Sequence, residues 1–372
     1  MRKEIEQIRH FYIHVPFCLS KCGYCSFYSK EPEAGEIDNY CRTLIKEIAY
    51  YRTNKKLALE SIYFGGGTPS LLSKTQIESI LNELTFDSAC EVTIEANPGD
   101  VNPALADVWL QAGINRISIG LQSMQPEELR ILGRRHGVEE NYAAVNTLRE
   151  SGFTNISFDL IYGLPQQSLA DVKYSLEEYM KLSPEHLSTY CLSLADDCRL
   201  AYLKKQLPDD ETESEMYYMI RQVLQQNGWQ QYELSSFSRN NRHSVHNSAY
   251  WQSREYVGCG PSASGYISGI RYQNSANLNL WREQVLSGRF MPNNEEIDET
   301  LREKEYIILA LRTTQGFKSA DFKKEFKIDF REKYSEKLVK FQNLKLLELA
   351  DGYIRLTPEG YFISNEVLSE FV

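Results

Sequence analysis

The chain has 372 residues, 42% hydrophobic and 25% charged, which is typical of a soluble globular protein large enough for more than one domain. Its formal net charge of −10 argues against nucleic acid as a partner, because phosphate binding requires a positive surface. No stretch approaches the roughly 20 apolar residues of a membrane-spanning helix, and the charged residues 1–7 lack the apolar run of a secretory signal. We therefore expect a cytoplasmic protein that is at most peripheral to a membrane.

The first two-thirds of the chain alternates short β-branched or aromatic runs with longer amphipathic ones. Strands are predicted at residues 11–17, 61–64, 91–96, 116–121, 156–162, 186–193 and 229–237. Helices are predicted at residues 37–52, 74–84, 103–112, 139–151, 169–182 and 211–227. This alternation predicts βαβ units and an α/β fold with a parallel sheet. Glycine or proline follows several strands, and in a barrel-like sheet that carboxyl edge holds the functional site.

The pattern changes after residue 237. Residues 238–251 are polar and aromatic, without helix or strand periodicity. Further on, predicted helices at 301–311, 319–326 and 331–342 precede a hairpin at 346–356 and a last helix at 357–371. This order is typical of a small winged-helix-like α+β domain, interpreted as a packing or interaction module because its acidic residues leave no basic stripe. The predicted domains are residues 1–237, a connecting segment 238–295, and residues 296–372.

Three cysteines, Cys18, Cys22 and Cys25, lie on one short loop after the first predicted strand. Structural zinc sites and ordinary ferredoxin clusters use four protein ligands. A [4Fe–4S] cluster held by three thiolates has one iron with an open position, to which another molecule can bind. The remaining five cysteines lack ligand spacing and are interpreted as buried or incidental thiols. The spacing therefore favours a reactive cluster, with a zinc site or a chance spacing as the alternatives.

The cysteine loop and the turn GGGTP at residues 65–69 together resemble the radical S-adenosylmethionine (SAM) superfamily. In that family the open iron binds the amino and carboxylate groups of SAM, and an electron from the cluster cleaves the sulfonium bond. The resemblance implies a partial (β/α)6 barrel with a [4Fe–4S] cluster on Cys18, Cys22 and Cys25. It also implies SAM as a second cofactor.

Four polar residues stand at or beyond predicted strand ends: Glu95, Gln122, Arg134 and Asp159. A zwitterionic ligand needs a carboxylate near its ammonium group and a guanidinium near its carboxylate, and ribose hydroxyls need polar acceptors. The alternative is that Glu95 and Asp159 only cap strands or pair with nearby cations.

Five segments extend the resemblance over nearly the whole chain, to the coproporphyrinogen-dehydrogenase-related (HemN/HemW-like) radical SAM group. They are YIHVPFC at 12–18, FGGGTPS at 64–70, TIEANP at 93–98, ISIGLQS at 117–123 and DLIYGLP at 159–165. The resemblance implies a SAM pocket formed by Tyr12, Tyr24, Gly66, Gly67, Thr68, Glu95, Gln122, Arg134 and Asp159. Glu95 and Arg134 are expected at the methionyl end and Gln122 and Asp159 at the ribose. His14 is interpreted as part of the loop's hydrogen-bonding frame.

Three features distinguish families within the group. The oxygen-independent coproporphyrinogen oxidase has a further cysteine two residues after the third ligand, where this chain has Phe27, and a long extension before the cluster loop. The sequence HNSAYW at 246–251 matches the H-N-x-x-Y-W motif of the haem chaperone family HemW. A neutral imidazole can ligate haem iron, and Tyr250 and Trp251 offer flat faces to a porphyrin. His246 is thus the candidate ligand, with His243 as a competitor and a packed loop histidine as the alternative.

The resemblance implies a chaperone that binds haem, SAM and a [4Fe–4S] cluster and delivers haem to respiratory haem proteins. We expect no coproporphyrinogen oxidase activity and no nucleic-acid partner. A homodimer and peripheral contact with the inner membrane are compatible with this hypothesis. The sequence does not identify the electron donor or determine whether SAM is cleaved. The alternatives are a radical SAM enzyme that oxidatively decarboxylates coproporphyrinogen III or modifies a related tetrapyrrole, and a zinc-bound interaction protein.

Overall fold

Six parallel strands form the centre of the molecule in a computed structural model that describes residues 7–372. Residues 1–6, which hold most of the segment predicted not to be a secretory signal, lie outside the described residues. The strands are β1 (Gln7–Val15), β2 (Lys56–Gly66), β3 (Glu91–Ala96), β4 (Arg116–Gln122), β5 (Ile156–Tyr162) and β6 (His186–Cys191). Each strand is paired with the next one along the chain. All seven residues of β4 are buried, as expected for a central strand covered on both faces.

Helices connect and cover these strands. They are α1 (Glu36–Asn54), α2 (Lys74–Leu81), α3 (Pro103–Gln111), α4 (Pro126–Ile131), α5 (Val138–Glu150), α6 (Leu169–Lys181) and, after β6, α7 (Asp210–Gln226). Serine side chains begin two of them in capping boxes, Ser73 for α2 and Ser168 for α6. The predicted partial (β/α)6 barrel is therefore confirmed.

Short strands extend the sheet to nine strands by adding to both edges. The added strands are β7 (Gln230–Gln231) and β8 (Ser236–Ser238) beyond β6, and β9 (Val257–Cys259) beside β1. β9 is parallel to β1, whereas β7 and β8 are antiparallel to their neighbours. The single strand predicted at 229–237 is wrong because the chain reverses between β7 and β8. Within that reversal Glu233 Oε2 accepts a hydrogen bond from Ser235 N at 3.0 Å.

The segment predicted to lack periodicity contains a helix, α8 (Val245–Trp251). Ser244 begins it by accepting a hydrogen bond from Asn247 N at 3.2 Å. The buried residues of this helix are His246 and Ala249. The expectation of no regular structure here is wrong. The helix has only two turns and buries a histidine and an alanine, so its sequence shows no apolar stripe.

The rest of the connecting segment packs back onto the barrel. It holds β10 (Ser264–Ile267), β11 (Ile270–Gln273), α9 (Leu278–Leu286) and β12 (Glu295–Glu296), with the three strands in one antiparallel sheet. The buried Glu47 of α1 accepts hydrogen bonds from Gly260 N at 2.8 Å, Asn274 Nδ2 at 2.7 Å and Trp281 Nε1 at 3.1 Å. Burial raises the pKa of Glu47 to about 7.

The C-terminal module is an α+β unit with an antiparallel sheet in the order β13-β15-β14. Its elements are α10 (Glu299–Leu311), β13 (Phe317–Lys318), α11 (Ser319–Phe326), α12 (Phe330–Lys333), α13 (Ser335–Asn343), β14 (Leu347–Ala350), β15 (Tyr353–Leu356), α14 (Pro358–Phe362) and α15 (Ser364–Ser369). The winged-helix-like arrangement is confirmed. The helices predicted at 331–342 and 357–371 are each interrupted, at Tyr334 and at Ile363. Among residues 7–372, no helix has both the length and the apolar character that crossing a bilayer requires.

Candidate functional site

A cavity of about 710 Å³ opens at the carboxyl edge of the parallel strands. Its walls come from the cysteine loop, the glycine turn after β2 and the ends of β3, β4 and β5. Eleven predicted site residues line it: Cys18, Cys22, Tyr24, Cys25, Gly66, Gly67, Thr68, Glu95, Gln122, Arg134 and Asp159. Tyr12 and His246 are not among its lining residues. The structure thus collects most of the predicted site, and the binding roles of its members stay predictions.

Backbone hydrogen bonds fix the cysteine loop at its start and its middle. Lys30 N donates to Pro16 O at 2.8 Å, and Cys18 N donates to Lys30 O at 3.0 Å, which closes the loop on itself. Gly23 N donates to Leu132 O at 3.4 Å, and Gly23 O accepts from Leu200 N at 3.1 Å. The loop therefore lies against two other parts of the barrel rather than projecting into solvent.

The three cysteines are free thiols, each half-buried. Thr68 Oγ1 donates a hydrogen bond to Cys18 Sγ at 3.4 Å, and Arg134 Nη1 donates to Cys22 Sγ at 3.3 Å. Burial raises the pKa of Cys25. No three His, Cys, Asp or Glu side chains in the described part of the chain are close enough to hold a single metal ion.

His14 is part of the hydrogen-bonding frame of the cysteine loop, as predicted. Its Nε2 is hydrogen-bonded to Tyr28 O at 3.0 Å, and its Nδ1 to the Tyr12 hydroxyl at 3.0 Å. Burial lowers the pKa of His14, which keeps the ring neutral. The Tyr12 hydroxyl is thus occupied by His14, and the Tyr12 ring is stacked on Tyr63 with the ring centroids 6.2 Å apart.

The turn after β2 has no space for side chains. Gly66 has φ 108°, and a Cβ on Gly67 would lie 2.6 Å from Phe17 O and 2.8 Å from Val15 O. Gly67 N donates to Val15 O at 2.8 Å, and Thr68 N donates to Phe17 O at 2.7 Å. The turn is thus attached to the segment that leads into the cysteine loop.

Two carboxyl groups face the cavity from β3 and β5, the strands on either side of β4. Glu95 accepts hydrogen bonds from the Tyr63 hydroxyl at 2.8 Å and from Gly66 N at 3.1 Å, and burial raises its pKa. Burial, together with the charge of Glu95, raises the pKa of Asp159 to about 7. A cationic ligand group between these strands would favour the ionised form of both.

Arg134 links the cysteine loop to the strand ends. Its Nη2 donates to Asn97 Oδ1 at 2.6 Å and to Gly120 O at 2.9 Å. Burial alone would lower the pKa of Arg134. The nearby phenol of Tyr24 and thiol of Cys22 have the larger combined effect, so the pKa of Arg134 is raised. Gln122 has φ 66°, and its buried Oε1 has no hydrogen-bond partner within the described residues.

These residues fit a cluster with a zwitterionic ligand beside it. The loop supplies three thiols. The glycine turn carries no side chains, so a ligand can approach its backbone closely. Gln122 Oε1 and Arg134 Nε are a buried acceptor and a buried donor without partners inside the described chain. Such groups carry a desolvation cost that a polar ligand removes.

Asn97 and His136 are among the lining residues that the sequence prediction missed. Asn97 accepts from Arg134 and donates from Nδ2 to Thr68 Oγ1 at 3.1 Å, so it joins two predicted residues. His136 also lines the cavity, and burial lowers its pKa to about 4. Asn97 stands directly after a predicted strand, and that position could have identified it as a site residue. No sequence pattern identifies His136.

His246 is 1% exposed, and its ring is stacked on Tyr12 and Tyr63, with ring centroids 6.2 and 5.1 Å away. Its Nδ1 is hydrogen-bonded to Ser61 Oγ at 2.8 Å and its Nε2 to the Tyr250 hydroxyl at 2.8 Å. Burial lowers its pKa to about 3. The competitor His243 is half-buried and stacks on Tyr232 at 4.2 Å. Both nitrogens of His246 are engaged, so its predicted role as an iron ligand would require α8 to rearrange.

Comparisons with known proteins match both parts of the chain. The model of the Radical SAM superfamily matches residues 12–178, and that of the HemN C-terminal domain matches residues 298–363. The heme chaperone HemW of Lactococcus lactis is 34% identical, over 97% of this chain and 96% of that protein. The heme chaperone HemW of Bacillus subtilis is 30% identical, over 97% and 98%.

A solved structure of coproporphyrinogen III oxidase (HemN) from Escherichia coli superposes on this one with a TM-score of 0.87. It covers 100% of this chain and 91% of its own at 22% sequence identity. A likeness at this identity shows the shared fold, namely the partial barrel with its C-terminal module.

Proposed function

Since the chain belongs to the HemW family of the radical SAM superfamily, we propose that it is a haem chaperone. It would bind haem, SAM and a [4Fe–4S] cluster and deliver haem to respiratory haem proteins. The single observation that carries this proposal is similarity to heme chaperones over nearly the full chain, through the barrel, the connecting segment and the C-terminal module.

Membership of the superfamily implies the cluster and SAM. Cys18, Cys22 and Cys25 would hold the cluster, which supplies the electron that radical SAM proteins use to cleave SAM. Arg134 and Glu95 would orient the methionyl carboxylate and ammonium groups, and Gln122 and Asp159 the ribose.

The proposal includes a cytoplasmic protein with peripheral contact at the inner membrane, where it would meet its clients. Cell fractionation with detection of the chain in membrane and soluble fractions tests this part. Recovery of the chain only outside the cytoplasm and the inner membrane would contradict it. Sedimentation of the purified chain with and without haem tests whether it acts as a homodimer.

The second candidate function is oxidative decarboxylation of coproporphyrinogen III, favoured by the shared fold with HemN. The residue that argues against it is Phe27, which lines the first cavity and is 66% exposed. A thiol expected there in the oxidase is replaced by an apolar ring that can neither ligate iron nor transfer a proton.

The deciding experiment uses the full chain reconstituted with iron and sulfide under anoxia. One sample receives SAM, reductant and coproporphyrinogen III, and another receives ferric haem. We expect stable haem binding and no protoporphyrinogen. Formation of protoporphyrinogen would overturn the chaperone proposal in favour of the oxidase. Iron analysis of the same preparation addresses the zinc alternative, because roughly four irons per chain are required by a [4Fe–4S] cluster.

A further inference from the structure

A row of packed aromatic rings connects the wall of the first cavity to a second cavity. The second cavity, of about 830 Å³, lies between α8, the small antiparallel sheet and helices α10 and α11 of the C-terminal module. The rings, referred to below as the aromatic row, are those of Tyr12, Tyr63, His246, Tyr250 and Tyr256.

The aromatic row begins at the wall of the first cavity. The Tyr63 hydroxyl donates a hydrogen bond to Glu95 Oε1 at 2.8 Å, and Glu95 lines that cavity. The rings of Tyr12 and Tyr63 meet where Gly65 has no side chain. A Cβ on Gly65 would lie 2.9 Å from Tyr63 Cε1 and 3.1 Å from Tyr12 Cε2. The row thus reaches the first cavity through one carboxyl group.

Each ring of the aromatic row packs against the next. The ring centroids of Tyr63 and His246 are 5.1 Å apart, those of His246 and Tyr250 5.0 Å, and those of Tyr250 and Tyr256 4.6 Å. Tyr12 is stacked on Tyr63 and on His246 at 6.2 Å. These separations are typical of directly packed aromatic pairs. Electron tunnelling weakens exponentially with distance, so such rings exchange electrons far faster than redox groups held apart by aliphatic side chains.

Three of the four phenols in the aromatic row are hydrogen-bonded to a group that can take up a proton. One is the phenol bonded to Glu95. The Tyr12 hydroxyl lies 3.0 Å from His14 Nδ1, and the Tyr250 hydroxyl lies 2.8 Å from His246 Nε2. A phenol that loses an electron must also release its proton, and a base within hydrogen-bond reach receives it. The row therefore has the arrangement that proton-coupled oxidation of tyrosine requires.

The aromatic row ends where dissolved molecules can reach it. Tyr256 lines the second cavity and is half-buried, and the exposed residues Gln252 and Arg254 line the same cavity. Tyr63, at the other end of the row, is 8% exposed. A radical on Tyr256 is thus accessible to a reductant in solution, whereas a radical on Tyr63 is not.

We propose that the aromatic row is a relay that carries an oxidising equivalent from the first cavity to Tyr256, where a dissolved reductant removes it. This function goes beyond the proposed haem binding, because it needs neither haem nor a client. It protects the thiols of the cysteine loop from an oxidant formed among them. The relay works only at the high potentials at which phenols are oxidised, so it is not a route for the electrons that reduce an iron–sulfur cluster.

Each step of the relay moves one electron and one proton. An oxidant of the carbon-radical or oxidised metal-dye class takes one electron from Tyr63 and is reduced. The phenolic O–H bond breaks and its proton moves to Glu95 Oε1. Tyr250 then gives an electron to the Tyr63 radical, which recovers its proton from the carboxyl group, while the Tyr250 proton moves to His246 Nε2.

The last step brings the radical to Tyr256. Tyr256 gives an electron to the Tyr250 radical and loses its own proton to water, while His246 returns the proton that it held. A dissolved thiol then gives a hydrogen atom to Tyr256 and is itself oxidised. At the end, every residue of the row has its starting protonation and oxidation state.

The surroundings of His246 fit a transient proton acceptor. Its Nδ1 lies 2.8 Å from Ser61 Oγ, which lies 2.9 Å from His10 Nδ1. When His246 Nδ1 donates to Ser61 and Ser61 donates to His10, His246 Nε2 is free to accept from the Tyr250 hydroxyl. Burial lowers the pKa of His246 to about 3, which keeps the ring neutral at rest. An oxidised phenol is a far stronger acid than a phenol, so this weak base still accepts the proton.

The test places a photo-oxidant in the first cavity of the cluster-free full chain. A ruthenium polypyridyl complex is attached to the thiol of Cys22, which lines that cavity. The other half-buried thiols are removed by Cys18→Ser, Cys25→Ser, Cys191→Ser and Cys198→Ser. A laser flash with a dissolved electron acceptor oxidises the complex. Electron paramagnetic resonance detects tyrosyl radicals, and a nitroso spin trap mapped by mass spectrometry identifies the residues that carry them.

Two phenylalanine variants separate the relay from oxidation elsewhere. Tyr250→Phe removes the phenol that contacts both His246 and Tyr256. Its matched control is Tyr232→Phe, which also removes a phenol hydrogen-bonded to a buried histidine, at 2.8 Å, but at a residue that lines neither cavity. Tyr190 is exposed and lines the first cavity, so its adduct measures oxidation beside the label in every sample.

We expect a spin-trap adduct on Tyr256 in the labelled chain and in Tyr232→Phe, and its loss in Tyr250→Phe with the Tyr190 adduct unchanged. Circular dichroism reports folding. If Tyr250→Phe does not fold, the double variant Tyr12→Phe/Tyr63→Phe takes its place, because it removes both phenols at the start of the row. The Tyr256 adduct should be lost there as well.

Two results would overturn the relay. One is an adduct on Tyr190 without one on Tyr256 in the labelled chain. The other is a Tyr256 adduct that persists in a folded variant with the row interrupted, since the radical would then travel by another route. Neither result bears on haem binding, because the samples contain no haem, so failure of the relay leaves the proposed function in place.

Discussion

Two cavities, of about 710 and 830 Å³, are built in different ways. The first is formed by the ends of consecutive strands in one sheet, with carboxyl groups on its walls and with Arg134 hydrogen-bonded to the thiol of Cys22 and the amide of Asn97. The second is formed where α8, a small sheet and the C-terminal module meet, with aromatic rings and surface cations on its walls. The first site is therefore part of the barrel's own geometry, whereas the second depends on how separate segments pack together.

The largest effect that tests this difference is loss of the cluster in Cys22→Ala. Removal of one of three thiols should abolish the cluster absorbance and the bound iron after anaerobic reconstitution, because three ligands are already the minimum. Cys198→Ala, which changes a free thiol outside the first cavity, is the control and should keep both. Ferric haem binding by the chain should persist in Cys22→Ala. Its loss from a folded variant would show that haem binding depends on the first cavity.

A strong effect on stability is expected for Gly67→Ala. The added Cβ would lie 2.6 Å from Phe17 O and 2.8 Å from Val15 O, and backbone atoms cannot move aside cheaply. We expect a loss of about 1–3 kcal/mol in the free energy of unfolding, as for other overpacked sites. Thermal denaturation measures it, with Gly99→Ala as the control, where the nearest atom is His136 Cβ at 3.7 Å. Equal stability of the two variants would mean that the glycine turn is not held as tightly as described.

A pH effect should follow from Asp159 in the first cavity. Its pKa is raised from 3.8 to about 7, so the folded chain keeps a proton that the unfolded chain has released between those values. The contribution of Asp159 to the free energy of unfolding is therefore fully present below pH 3.8 and is lost as the pH rises toward about 7. Asp159→Asn should reduce this fall by about 2 kcal/mol, allowing for partial solvent exposure of the carboxyl group. Denaturant titrations of the cluster-free chain across this range measure it, and parallel curves for the two proteins would contradict the expectation.

The smallest effect is expected for Arg302→Met at the second cavity. The ion pair of Arg302 with Glu325 is partly exposed and worth less than about 1 kcal/mol, so the free energy of unfolding should fall by no more than that. Arg289→Met removes a surface ion pair with Glu283 outside both cavities and is the matched control, with a similarly small expected change. Denaturant titrations measure both variants. A much larger loss in Arg302→Met alone would show that the packing around the second cavity depends on this arginine.

The barrel was predictable because its signals are local. Strand β3 and strand β5 were predicted to the residue, since turn residues follow each of them and β-branched residues fill them. The three cysteines, the glycine turn and Arg134 were found from motif order alone, and the carboxyl edge of a parallel sheet brings such positions together.

What the sequence could not supply are partners distant along the chain. His246 is hydrogen-bonded to Ser61, which stands 185 residues earlier, and no spacing rule connects the two. The motif histidine therefore appeared free to ligate iron when it is in fact enclosed. The second cavity was also missed, because Tyr250 and Tyr306 belong to segments whose relative placement depends on packing.

Strand β9 has a consequence for the way this chain emerges from a ribosome. Tyr12 of β1 is paired in register with Gly258 of β9, so the strand that leads into the cysteine loop gains its second neighbour only after two-thirds of the chain exists. Until then β1 exposes unpaired backbone groups along one edge, the kind of surface on which nascent chains associate wrongly. Pairing over so long a separation is also slow to form. The cysteine loop is thus among the first parts to be synthesised, whereas the strand that leads into it is among the last to gain its full pairing.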